Sequence, residues 1–137
     1  MPIPAKPDGY LPFRAWATWA GAAGGIASDA PTTARWGYQL YGGHVLSETT
    51  LKEMLDASDG DGYGYGCGYG YGLGLMDLRD SRFNIDAVGH EGEAIGYRSI
   101  LATFEKDQLS VALLTPSTTR TLPFVQYLIK AGDLTRN

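Results

Sequence analysis

Between Asp59 and Leu75 the chain reads DGDGYGYGCGYGYGLGL, with glycine at every even position from Gly60 to Gly74. Three readings compete for this run. A calcium loop could open with Asp59 and Asp61, but the next acidic position falls on Tyr63 and the closing carboxylate on Gly70. A polar, aromatic low-complexity segment would be disordered or self-associating. A strand accounts for more: positions 63, 65, 67, 69, 71, 73 and 75 are all tyrosine, cysteine or leucine, a period of two. Glycine on the opposite face leaves room for another backbone or a ligand. The strand is the favoured reading.

The remaining composition is that of an ordinary globular chain. Its 137 residues suit one domain, 44% are hydrophobic and 19% charged, and the net charge is only −4. The 11 basic residues are scattered, which argues against a nucleic-acid surface. Cys67 is the single cysteine, so an internal disulfide and a cysteine-built zinc site are both excluded. No apolar stretch has membrane-spanning length. The proline-rich start, MPIPAKPDGYLPF, lacks the apolar core of a signal peptide, and residues 1–18 read as a linker.

Residues 1–25 read as extended or loop. SDAPTTARWGYQLYGG follows as a helix, capped by Ser28 or Asp29 and stopped by Gly42 and Gly43, with Ala34, Tyr38 and Tyr41 on one face. Gly37 is tolerable there if a neighbour packs closely. LSETTLKEMLDAS is a second helix capped by Ser47, with Leu51, Met54 and Leu55 toward the core. After the glycine run, MDLRDSRFNIDAVG reads as a polar excursion. Tyr97–Phe104 and Leu109–Thr115 form a hairpin around EKDQ. A last helix carries Phe124, Tyr127, Leu128 and Ala131 on one face and stops at Gly132. The order predicts an α+β fold: an antiparallel sheet containing Tyr69–Leu75, Ala94–Phe104 and Leu109–Thr115, with the helix Phe124–Ala131 on one face.

In order, AGAAGGIASDAPTTARWGYQLYGGHVLSETTLKEML, YGYGLGL, VGHEGEAIGYRSILATF and LSVALLT resemble one family. It is the C-terminal part of the serine β-lactamase-related hydrolases: class C β-lactamases, D-alanyl-D-alanine carboxypeptidases, other penicillin-binding-protein-like enzymes and esterases. The likeness runs from about Trp19 to Ala131 and rests on the order of individually weak motifs. It implies a β-lactamase/transpeptidase-like fold, a small-molecule or peptide acyl substrate, an acyl-serine intermediate and no cofactor. It also implies a family that is often periplasmic or secreted. His90-Glu91-Gly92 matches the third active-site motif, where a strand edge holds substrate and the basic residue lies at its carboxylate or near the serine. Gly92 lets the substrate approach the backbone. The backbone N–H of Glu93 matches the family's second oxyanion donor. The acidic side chains of Glu91 and Glu93 stand where small residues are commoner, which disfavours an anionic substrate unless they point away.

Two further motifs are absent. No serine has lysine three residues later, and no tyrosine has asparagine two residues later. Thr49 and Lys52 have the first spacing but read as a solvated helix face, and Tyr97-Arg98-Ser99 follows the His-x-Gly motif. Outside the family pattern, His90 is an ordinary surface or core histidine. His44 reads as structural; Trp16, Trp19 and Trp36 as core or loop anchors; Cys67 as packing. Two histidines and scattered acids make no metal site. The sequence therefore reads as a single partial domain, 1–137, holding about half of an active site. It would complete that site with a separate N-terminal half and expose apolar surface where that half docks. The rival reading is a non-catalytic, Tyr/Gly-rich module that self-associates through a strand edge.

Overall fold

The computed structural model describes residues 18, 20–56, 70–79, 85–94, 96–117 and 121–134, with side chains in the last segment up to Leu128. The start up to residue 17, Trp19, and the glycine run through Tyr69 with Cys67 lie outside the described residues. Thr18 and Ala20 are helical and lead into a 3-10 turn at Gly21–Ala23, where the sequence favoured extended or loop conformation.

Helix α1 spans Ala30–Tyr41. Asp29 caps it: its carboxylate accepts the Thr32 N–H at 2.8 Å, while Ser28 accepts from the Thr33 hydroxyl. That hydrogen bond to the ionised form holds the Asp29 carboxyl below its ordinary value. A lowered pKa means the cap is complete above about pH 4 and fades as pH falls through the folded-state value. Amide protection at Thr32 and Thr33 is therefore expected to drop in acid ahead of the sheet. Unchanged protection at both amides down to pH 2 to 3, roughly a unit or two below the ordinary aspartate pKa, would contradict that.

The sheet-facing residues of α1 are Gly37 and Tyr41, four apart on one side of the helix. A Cβ on Gly37 would lie 2.7 Å from Leu101 Cδ1, so glycine here permits the close packing that offsets its helix cost. Trp36, one residue round the helix, is half-exposed and is no core anchor. Helix α2, Glu48–Leu55, is capped by Ser47, and its Met54 and Leu55 pack on a small core of Tyr41, Leu75 and Val88.

Four strands follow in chain order and in spatial order, all antiparallel: β1 Met76–Asp77, β2 Val88–Ala94, β3 Tyr97–Phe104 and β4 Leu109–Thr115. The hairpin β3–β4 has the predicted limits. Two expectations need correction. Ala94 closes β2 and pairs with Tyr97, because Gly96, at φ +84°, turns the chain between them. The strand expected over Tyr69–Leu75 is, in its described part, a turn: Tyr71 bridges to Met76, Gly72 N–H bonds Leu75 O, and Leu73 sits exposed at the tip. Gly74, at φ +76°, makes that reversal possible. Gly72 has a separate reason: its Cβ would meet the Met54 carbonyl oxygen at 2.5 Å, where Leu73 N–H also bonds. The "polar excursion" is also more than that. Met76–Asp77 is β1, and Leu78, Ile85 and Ala87 are buried.

Register sorts the side chains into two faces. Ile100, Ala102 and Phe104 join Leu78, Ile85, Ala87, Leu122 and Val125 in the main core, beneath helix α3, Leu122–Leu134. Leu101 faces the opposite way, toward α1. The result is three layers, with α1 and α2 on one face of the sheet and α3 on the other. Helix α3 docks by an unexpected side: Leu122 and Val125 are buried, whereas Phe124, Tyr127 and Leu128 are 45%, 67% and 44% exposed. Leu122→Ala is expected to cost about 3 kcal/mol and Tyr127→Ala within about 0.5 kcal/mol, read from denaturant midpoints. Equal costs would contradict this docking. No described helix is long and apolar enough to cross a membrane.

Candidate active site

The His-x-Gly motif lies on β2, and the backbone of that strand decides what it can present. Gly72 N–H to Leu75 O and Asp77 N–H to Gly70 O mark Tyr71 and Met76 as a pair whose own backbone groups point away from each other. Met76 therefore turns its N–H and C=O toward Gly89, its partner on β2. By period two, Glu91 and Glu93 direct their N–H and C=O groups to the same side of β2, away from β3. Strand β1 stops at Gly89, so among the described residues no strand covers the β2 edge from His90 to Ala94. Among the described residues this edge is free, and it carries the N–H of Glu93.

His90 and Gly92 project to the α1 side of the sheet, opposite Leu101 and Ser99. The half-buried His90 ring is held at both nitrogens: Nδ1 lies 2.5 Å from the Glu91 carbonyl oxygen and Nε2 lies 2.8 Å from the Tyr71 hydroxyl. The two rings meet edge to face with centroids 5.6 Å apart. Gly92 makes room on its side of the strand for the Ser99 hydroxyl. A Cβ there would sit 2.4 Å from the Ser99 Oγ.

Glu91 and Glu93 project to the other face. Glu91 Oε1 accepts the hydroxyl of the buried Thr121 at 3.0 Å, which ties β2 to the start of α3. Glu93 pairs with Arg98 across the β2–β3 ladder at 2.6 Å. Both carboxylates point away from the His90 side and both have partners. The expectation that these carboxylates disfavour an anionic substrate carried the proviso that they do not point away, and here they do.

The other singled-out residues lie elsewhere. Thr49 is exposed in the first turn of α2 and Lys52 is exposed one turn on. Tyr97 is exposed at the start of β3. His44 stacks on Tyr38 at 5.4 Å beside a shallow pocket of about 140 Å3 bounded by Tyr41, Thr103 and Glu105. No group of three or more His, Cys, Asp or Glu among the described residues could hold a metal.

Tyr71 was missed as a site residue. In sequence it is one tyrosine of a repeat, and its partner lies 19 positions away. Only the pairing of Met76 with both Tyr71 and Gly89 brings the two rings together. Beside it, burial raises the pKa of the Tyr41 hydroxyl, with a smaller push from the charge of Tyr71.

No curated protein matches the chain. The sequence profile of the beta-lactamase family, by contrast, matches residues 1–130. The α+β arrangement of an antiparallel sheet between helices agrees with a domain of that kind. With nearly the whole length matched, the chain belongs to the beta-lactamase family.

Proposed function

We propose that this chain supplies the substrate-holding strand and one oxyanion donor of an acyl-serine hydrolase. The nucleophile and its base come from a separate N-terminal segment. The reading draws on family membership, which points to serine-hydrolase chemistry on small molecules, and on one observation above all: the β2 edge at His90-Glu91-Gly92-Glu93, which no strand covers among the described residues. In this reaction the serine oxygen of the other segment attacks the acyl carbon of an ester, a β-lactam or a D-Ala-D-Ala peptide. The carbonyl oxygen becomes an oxyanion and accepts a hydrogen bond from Glu93 N–H. Such a donor is worth about 3 kcal/mol in an intact site. The alcohol or amine then leaves with a proton, and water releases the acyl group from the serine. His90 lines the edge, and Gly92 lets the acyl group lie against it.

A second reading has its own support. Strand β4, LSVALLT, is an outer strand with neither charge nor proline, the devices that keep edges from pairing. A non-catalytic, self-associating module would use it. An activated-ester or β-lactam probe separates the two readings. The hydrolase half labels only after a Ser-x-x-Lys segment is added, and on that segment's serine; the module never does. Stoichiometric labelling of the lone chain at any of its own serines would overturn the proposal.

A further inference from the structure

The hydrogen-bond chain Tyr71–His90–Glu91 has a direction that atom types alone decide. A backbone carbonyl only accepts, so His90 Nδ1 must carry the proton that bonds Glu91 O. A neutral imidazole has one N–H, so Nε2 is then a bare acceptor and the Tyr71 hydroxyl must donate to it. The backbone around Tyr71 is held by its bridge to Met76 and by the Leu73 N–H bond to the Met54 carbonyl oxygen.

We propose that Tyr71 is a positioning residue for His90. The Glu91 carbonyl sets the neutral Nδ1–H tautomer, and the Tyr71 hydroxyl, donating to Nε2, reinforces it and occupies that nitrogen, so that neither ring nitrogen offers a hydrogen to a substrate. The geometry stands by itself; its meaning for substrates rests on the hydrolase reading. Where a cationic residue at this motif position would receive a carboxylate, the His90–Tyr71 pair presents a neutral ring and a phenol oxygen whose hydrogen is already used. An acyl group without a carboxylate beside the scissile bond suits that environment, so the substrate class is a neutral ester.

The test is nitrogen NMR on histidine-labelled full chain at pH 8. His44 serves as the internal reference and is assigned by His44→Gln. His90 is expected to show a protonated Nδ1 and a bare Nε2. In Tyr71→Phe, which removes one oxygen and keeps the ring packing, the Nε2 signal should move further from the protonated range, as an acceptor that has lost its donor, while His44 stays in place. A protonated Nε2 in the unaltered chain, or a His90 signal unmoved in Tyr71→Phe, would overturn the proposal. If Tyr71→Phe loosens the fold, 3-fluorotyrosine at position 71, which keeps the ring and its hydroxyl donor, should keep the bare Nε2. A protonated Nε2 in that folded variant would count against the proposal. In the enzyme reconstituted with its serine segment, the preference for a neutral ester over its carboxylate-bearing counterpart should fall roughly tenfold in Tyr71→Phe, the size of one lost charge-selective contact. An unchanged preference would overturn the substrate class alone. Complete absence of turnover, with the NMR result intact, would instead sink the hydrolase reading and leave the positioning role standing.

Discussion

The lone chain is expected to take up no β-lactam or activated-ester label, and a separately expressed segment bearing Ser-x-x-Lys is expected to restore labelling on its own serine. On the proposed reading the chain supplies an oxyanion donor and a strand edge while its sequence carries no Ser-x-x-Lys, and acyl transfer needs a nucleophile beside a base. Positioning alone would act on water, whose attack leaves no covalent mark. In the restored pair, His90→Ala should slow labelling by on the order of 10- to 100-fold, because the edge loses the ring that orders it. Thr49→Ala should leave the rate unchanged, since Thr49 lies exposed on α2, far along the chain from the motif. Mass spectrometry of the labelled pair assigns the serine. An equal loss in both variants would show that His90 has no special place at the edge.

Gly89→Ala is expected to disrupt the sheet while Gly92→Ala spares it, although both glycines lie on β2. A Cβ on Gly89 would stand 1.8 Å from the Leu101 carbonyl oxygen, a backbone atom that can move only with its strand. Relieving such a clash costs about 3 kcal/mol, comparable to severe overpacking. That is on the order of a 100-fold loss of amide protection across β2 and β3, read by hydrogen exchange. A Cβ on Gly92 meets only the Ser99 hydroxyl, which can rotate away, so protection should fall less than about threefold. The same Gly92→Ala should still slow labelling in the restored pair, because the added methyl group and the displaced Ser99 hydroxyl crowd the strand beside the edge. Similar exchange in the two variants would contradict the packing described at Gly89.

Much of this was written in local sequence. The caps at Asp29 and Ser47, the stop at Gly42 and the limits of the β3–β4 hairpin follow from short-range chemistry: side-chain oxygens near free N–H groups, and period-two patterning interrupted by a polar turn. The family likeness, carried by motif order, was also legible, and with it the strand bearing His90, Gly92 and Glu93. What tertiary structure decided is of another kind. Phe124, Tyr127 and Leu128 share a helical face as apolar as that of Leu122 and Val125; the sheet selects the second pair, because periodicity says which residues lie together and not which side meets a partner. Alternation in YGLGL could not reveal that the chain reverses at Gly74, since glycine serves an extended strand and a left-handed turn equally well. The aim of Glu91 and Glu93 away from His90 depends on β2 being a strand without a bulge between them, paired in register with β3. The bond from Tyr71 to His90 depends on three strand segments meeting at Met76. Contacts between residues 19 apart are set by how segments pair, and no spacing rule within one segment carries that information.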